Sequence, residues 1–135
     1  METFAETPQQ LSKTELFYQE LLEKALASIP ESGAVMVIGP LFILRPTTEN
    51  LSILSKAQQD LQNQGQEVFD QRPFLDSSLP DAPFDYQAKF PLFFKKLIQS
   101  GKITACYLMD DWEKSEGTRT EVEYCKEAGI PIFKL

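Results

Sequence analysis

The sequence predicts an α/β fold: a single Rossmann-like or flavodoxin-like domain, with a parallel sheet of four to five strands, helices on both faces and an additional N-terminal helix. Three observations lead there. Short, continuous apolar runs alternate with longer segments of helical period. Tight turns marked by Gly and Pro join them, as in right-handed crossover units. The 135 residues are enough to close one core but not two.

The first helix is expected over 11 to 28. Leu11, Leu22, Ala25, Leu26 and Ile29 share a stripe with Phe17, Tyr18 and Leu21, and the pattern stops at Pro30 and Gly33. That face either covers the sheet or forms an oligomer interface. The run AVMVIG, 34 to 39, reads as a strand buried on both sides and broken by Gly39-Pro40. Leu51, Leu54, Ala57 and Leu61 define a helix from Thr48 to Gln64, closed by Gly65, and EVFD follows as a short second strand. Residues 71 to 89 have no period and contain Pro73, Pro80 and Pro83; a loop of that length inside a compact domain is uncommon unless it is functional or mobile. After it, FPLFFKKLIQSG reads as a helix stopped at Gly101, KITACYLM as a third buried strand, 117 to 128 as a helix and IPIFKL as a last strand.

Composition narrows the function. Thirteen basic against twenty acidic residues give a net charge of −7 with no basic stripe, which argues against a nucleic-acid polymer as partner. A small anion remains compatible, because a helix N-terminus binds one through local N–H groups. No apolar run approaches the roughly 20 residues of a membrane helix, and the polar opening METFAETPQQ is unlike a secretory signal, so a soluble, cytoplasmic protein without membrane contact is expected. Cys106 and Cys125 read as buried free thiols. The absence of histidine removes Ser-His-Asp and Cys-His nucleophiles, a histidine base and most zinc sites; neither metal nor cofactor is expected.

In parallel sheets, ligands collect at the carboxyl ends of strands. Two segments fall there. Gly39 either admits a ligand close to the backbone or merely ends the strand with Pro40. In Asp110 to Thr118, the residues Ser115, Gly117 and Thr118 form a helix start suited to an anion or a sugar hydroxyl, and equally to ordinary capping. Glu121 is expected in the first turn, where the helix dipole favours an ionised carboxylate able to act as a nucleophile; an acidic residue there is also a common stabilising choice. Asp110 and Asp111 are candidate proton donors or solvated strand-end residues, and Trp112 a base-stacking or packing residue. Asp76, Asp81 and Asp85 are weaker candidates for sugar-hydroxyl ligands. Spacing alone leaves these alternatives open.

The segments VMVIGPL, QNQGQEVFD and CYLMDDWEKSEGTRTEVEYCKEAGIPI resemble the nucleoside 2-deoxyribosyltransferase-like superfamily, in particular a branch of small bacterial and phage domains of uncertain function. Trp112, Ser115, Gly117, Arg119 and Glu121 carry the resemblance at matching spacing. It covers about 34–135, a deoxyribosyltransferase-like domain, and leaves 1–33 as a helical extension. The resemblance implies cleavage of the N-glycosidic bond of a deoxynucleoside or its monophosphate, by hydrolysis or transfer, with Glu121 as nucleophile. It implies Ser115 near the substrate's 5′ end, Gly117 keeping the backbone open, Gly39 and Pro40 in the pocket floor, and assembly as a homodimer or larger homo-oligomer. Thr104 stands where relatives often carry an aspartate, and Asp110-Asp111 replaces a Pro-Gly pair. These departures keep a second expectation in play, an inactive nucleotide-binding or scaffold module of the same fold.

Overall fold

The computed structural model describes the backbone of residues 8–75, 79 and 86–135, and the side chains of 13–75, 79 and 87–135. The order is α1 (Pro8–Ala27), β1 (Ala34–Ile38), α2 (Thr47–Asn63), α3 (Lys95–Ile98), β2 (Ile103–Leu108), α4 (Glu116–Ala128) and β3 (Ile132–Lys134). A π-helical turn, Phe90–Phe94, leads directly into α3, so the helix expected there begins with a widened turn at its proline.

The sheet is parallel, in the order β1-β2-β3. It has three strands among the described residues, fewer than the four to five expected. The EVFD segment contributes one bridge, Val68 to Val35, on the side of β1 away from β2. Its brevity has a local cause: the Asp70 carboxylate accepts the Arg72 N–H at 3.1 Å and its guanidinium at 2.8 and 2.9 Å, which turns the chain into Arg72–Phe74. The Gln71 side-chain amide meanwhile donates to the Val37 carbonyl and that of Gln58 to the Phe69 carbonyl.

All five β1 residues are buried, and their alternation feeds two cores. Ala34, Met36 and Ile38 join Tyr18, Leu21 and Ala25 of α1, Leu97 and Ile98 of α3, and Val122 and Cys125 of α4. Val35 and Val37 meet Leu54, Ala57 and Leu61 of α2. Helices therefore cover both faces, as expected, and α1 packs on the sheet; the side chain of Leu11 lies outside the described residues. In β2 the register shifts between Ala34 and Val35, with Thr104 as the extra residue of a bulge, so Ile103 faces the same core as Cys106 and Leu108. Among the described residues no helix is long and apolar enough to cross a membrane.

Candidate functional site

A cleft of about 860 Å³ opens at the carboxyl ends of the strands. That falls within the ~300–1,000 Å³ common for small-molecule sites. One wall is the start of α4, from Ser115 to Glu121; the others are Gly39 and Leu41 to Ile43 after β1, Gln71 and Leu75 after the Val68 bridge, and Lys89 with Phe90, Pro91 and Phe94 of the π turn.

Ser115 is the N-cap of α4: its backbone is extended, and its Oγ accepts the Thr118 N–H at 3.2 Å. Capping is thus a present role of this hydroxyl, whose own proton remains available to a ligand. Because the helix begins at Glu116, Glu121 lies in the second turn rather than the first. Dipole stabilisation fades over that distance. Glu121 is 7% exposed, and no described residue hydrogen-bonds its carboxyl group. Burial, with the adjacent Cys125 adding to it and the charge of Lys89 opposing, pushes its pKa up to about 8. The expected resting carboxylate is therefore mostly a carboxylic acid at neutral pH. Behind it, the Cys106 and Cys125 sulfurs lie 2.8 Å apart and both thiols are free and buried, as expected; the hydrogen bond with the Cys125 thiol, and after it burial, push the Cys106 pKa up.

Gly39 does line the cleft, for a reason of packing. A Cβ built there would lie 2.7 Å from Met109 Sδ, 2.8 Å from its Cγ and nearer still to its Cβ. Gly117 also lines the cleft, with its missing Cβ facing Phe90 Cζ at 3.0 Å. Phe90 is only half-buried and borders open space, so it can yield. Gly117→Ala is expected to hold or raise the urea midpoint, since alanine favours a helix by about 1 kcal/mol over glycine. The displaced ring narrows the cleft, so ligand-induced thermal shifts should fall; a clear loss of stability would show that Phe90 is fixed.

The remaining candidates are elsewhere. Pro40, Asp110, Asp111 and Trp112 do not line the cleft. Asp110 is exposed. Asp111 has left-handed backbone (φ 64°), which aspartate tolerates better than most residues, and pairs with Arg45 at 3.5 Å and Lys114 at 3.3 Å; it serves the turn. Trp112 packs against the core of α1 and α4, its buried Nε1 without a hydrogen-bond partner among the described residues. Thr104 sits in the bulge at the opposite end of β2 from the cleft, against Gly33. Arg119 is at the cleft margin and donates to the Glu113 carbonyl at 2.6 Å. Asp76, Asp81 and Asp85 lie outside the described residues.

The structure adds three residues that the sequence did not single out. Gln71 is 4% exposed and lines the floor, its amide nitrogen committed to Val37. Lys89 is 1% exposed; its Nζ donates to the Phe74 carbonyl at 2.6 Å and lies 5.7 and 5.4 Å from the ring centroids of Phe93 and Phe94. Tyr124, one turn from Glu121, has its phenol pKa raised by burial, with Glu127 and Glu121 adding. None carried a sequence signal beyond its place beside an irregular loop or on the face of α4. Among the described residues no cluster of three His, Cys, Asp or Glu side chains is placed to hold a metal ion.

Neither the curated proteins nor the solved structures give a match to the chain. Residues 46–134, well over half of the sequence and the segment that carries α2, Glu121 and the cleft walls other than Gly39 and Leu41 to Ile43, match a family model described as a domain of unknown function (DUF4406). The chain belongs to that family.

Proposed function

We propose that the protein cleaves the N-glycosidic bond of a deoxynucleoside or deoxynucleoside monophosphate, using Glu121 as the nucleophile. The observation that carries this reading is a buried carboxyl group, free of hydrogen bonds from described residues, on the wall of a cleft large enough for a nucleotide at the carboxyl edge of a parallel sheet. The resemblance of Ser115, Gly117, Arg119 and Glu121 to the deoxyribosyltransferase-like motif supports it. In the first step a carboxylate oxygen bonds to the anomeric carbon while the bond to the base nitrogen breaks, its electron pair leaving with the base, which takes a proton from solvent. Water or a second base then attacks the same carbon, loses a proton and releases the carboxylate. The apolar surroundings strengthen the attraction between a carboxylate and the oxocarbenium-like transition state.

The test is release of free base from a panel of deoxynucleosides and their monophosphates. Because only the ionised form attacks, kcat/KM is expected to rise with pH and level off above an apparent pKa near 8, the value set by burial of Glu121. Activity that falls through that pH would make the group an acid instead. Glu121→Gln is expected to reduce turnover by roughly 10³-fold or more. No base released from any of the compounds would sink the reading.

A second reading is favoured by one observation: Glu121 rests largely protonated, and neither Asp110 nor Asp111 reaches the cleft to protonate a leaving base. A module that binds nucleotides without turnover, acting as a sensor or oligomeric scaffold, would show ligand-dependent thermal stabilisation with no product.

A further inference from the structure

Gln71 is a polar side chain almost wholly out of solvent, set in the floor of the cleft. Its amide has two ends of opposite character, a nitrogen that donates and an oxygen that accepts. The partner at one end decides which way round the group sits. The Val37 main-chain carbonyl can only accept, so the amide nitrogen faces β1 and the oxygen points away from that bond. No described residue donates to this oxygen. It is nevertheless not sealed in, so the small part of Gln71 that stays accessible includes it and opens on the cleft. A buried acceptor in that state lacks a donor that a ligand can supply.

The surroundings say which part of a ligand that donor belongs to. The bond to Val37 places Gln71 at the end of β1, where Gly39 and Leu41 to Ile43 continue along the cleft and Leu75 lies nearby in the chain. Apart from the amide, these side chains are apolar. The hydroxyls of Ser115, Thr118 and Thr120 and the charges of Lys114 and Arg119 belong to a different wall, around the start of α4. A flat base suits the first wall, and a sugar with its phosphate suits the second.

We propose that Gln71 is a specificity-determining residue: its side-chain oxygen, held in place by the bond to Val37, accepts from the exocyclic amino group of the bound base and so selects aminated bases over their deaminated counterparts. A free glutamine amide can meet a base with both ends at once, donor to acceptor and acceptor to donor. Here the nitrogen is spent on Val37, and only the acceptor is left. The amino group of cytosine or adenine projects from the ring and meets a lone acceptor well. In uracil or hypoxanthine a carbonyl oxygen stands at that position, and two acceptors facing each other exclude water without forming a bond. That the donor belongs to a base rests on the glycosidic reading above; the orientation of the amide does not.

The test is isothermal titration calorimetry on the full chain carrying Glu121→Gln, so that no ligand is consumed. Two pairs of monophosphates are compared, those of deoxycytidine with deoxyuridine and of deoxyadenosine with deoxyinosine. In at least one pair the amino member is expected to bind roughly tenfold or more tightly, the effect of leaving a buried acceptor unpaired. Adding Gln71→Met is expected to bring the two members of that pair to the same affinity. Gln71→Asn replaces it if the methionine variant does not fold, because its shorter amide cannot span from Val37 to a ligand. Equal affinities within both pairs would overturn the proposal, as would binding of none of the four. So would a variant that weakens all four alike and keeps their ratios, the result of a purely structural role or of a bond to the sugar. Base release by the chain with Glu121 intact separates the two claims. A preference that depends on Gln71 in a protein that releases no base keeps the role of Gln71 and ends the glycosidic reading, while base release with equal affinities within both pairs keeps the reaction and ends the role of Gln71.

Discussion

Glu121→Gln is expected to make the protein more stable than wild type at pH 9, by up to about 5 kcal/mol, and to change stability little at pH 4. The sign follows from linkage. The carboxyl titrates at about 8 in the folded chain against 4.5 as its ordinary value. Between those pH values the folded state keeps a proton that the unfolded state has released, so stability falls as pH rises. Below pH 4.5 both states are protonated and nothing is lost; above pH 8 both are ionised and the full cost has been incurred. Glutamine keeps the shape of the neutral acid at every pH, so it escapes that cost. Urea titrations of both proteins at pH 4, 6, 8 and 9 measure it, and a difference that stays constant across the series would mean that Glu121 is not desolvated. Combined with the predicted loss of base release, this variant would be a more stable protein that does less, the usual relation between a strained site and its scaffold.

Gly39→Ala is expected to cost about 3 kcal/mol or more, the upper end of what overpacking does in a close-packed interior. Its cause is proximity rather than backbone freedom, since Gly39 is not among the residues with positive φ. The new methyl group would overlap the side chain of Met109, which is 1% exposed. The two segments cannot part, because the Met109 N–H donates to the Ile38 carbonyl at 2.9 Å, directly beside the glycine. A second substitution identifies the obstacle. Met109→Ala clears the thioether and keeps the Cβ, so it should leave most of the penalty of Gly39→Ala in place; full recovery in the double variant would show that a flexible side chain was the only hindrance.

The elements that could be read from the chain are those whose signal is local. The continuous apolar run of β1, the stripe of Tyr18, Leu21, Ala25 and Ile29, and the stop at Gly129 after α4 each act within a few residues, and each element appears where expected to within a few positions. The cleft is different. Its walls come from four segments spread between Gly39 and Tyr124, so Gln71 and Lys89 look in the sequence like ordinary polar residues flanking a loop. The state of Glu121 was misjudged for the same reason. From either start, 117 as expected or Glu116 as observed, Glu121 falls past the first turn and the reach of the dipole, and its burial arises from packing that spacing does not report. Asp111 was open to both readings until its left-handed backbone showed what the turn requires. Trp112, similarly, turns inward to the core and away from the cleft.

The bond from the Gln71 amide to the Val37 carbonyl has a structural corollary. On that side of β1, Val35 donates to Glu67 and accepts from Phe69, so the next rung of a continuing parallel ladder would be the Gln71 backbone N–H on the Val37 carbonyl. The side chain of the same residue takes that rung. That rung is thereby filled with no fourth strand among the described residues, and the main chain turns away at Arg72–Phe74, which brings Leu75 to the cleft lining and the Phe74 carbonyl to Lys89.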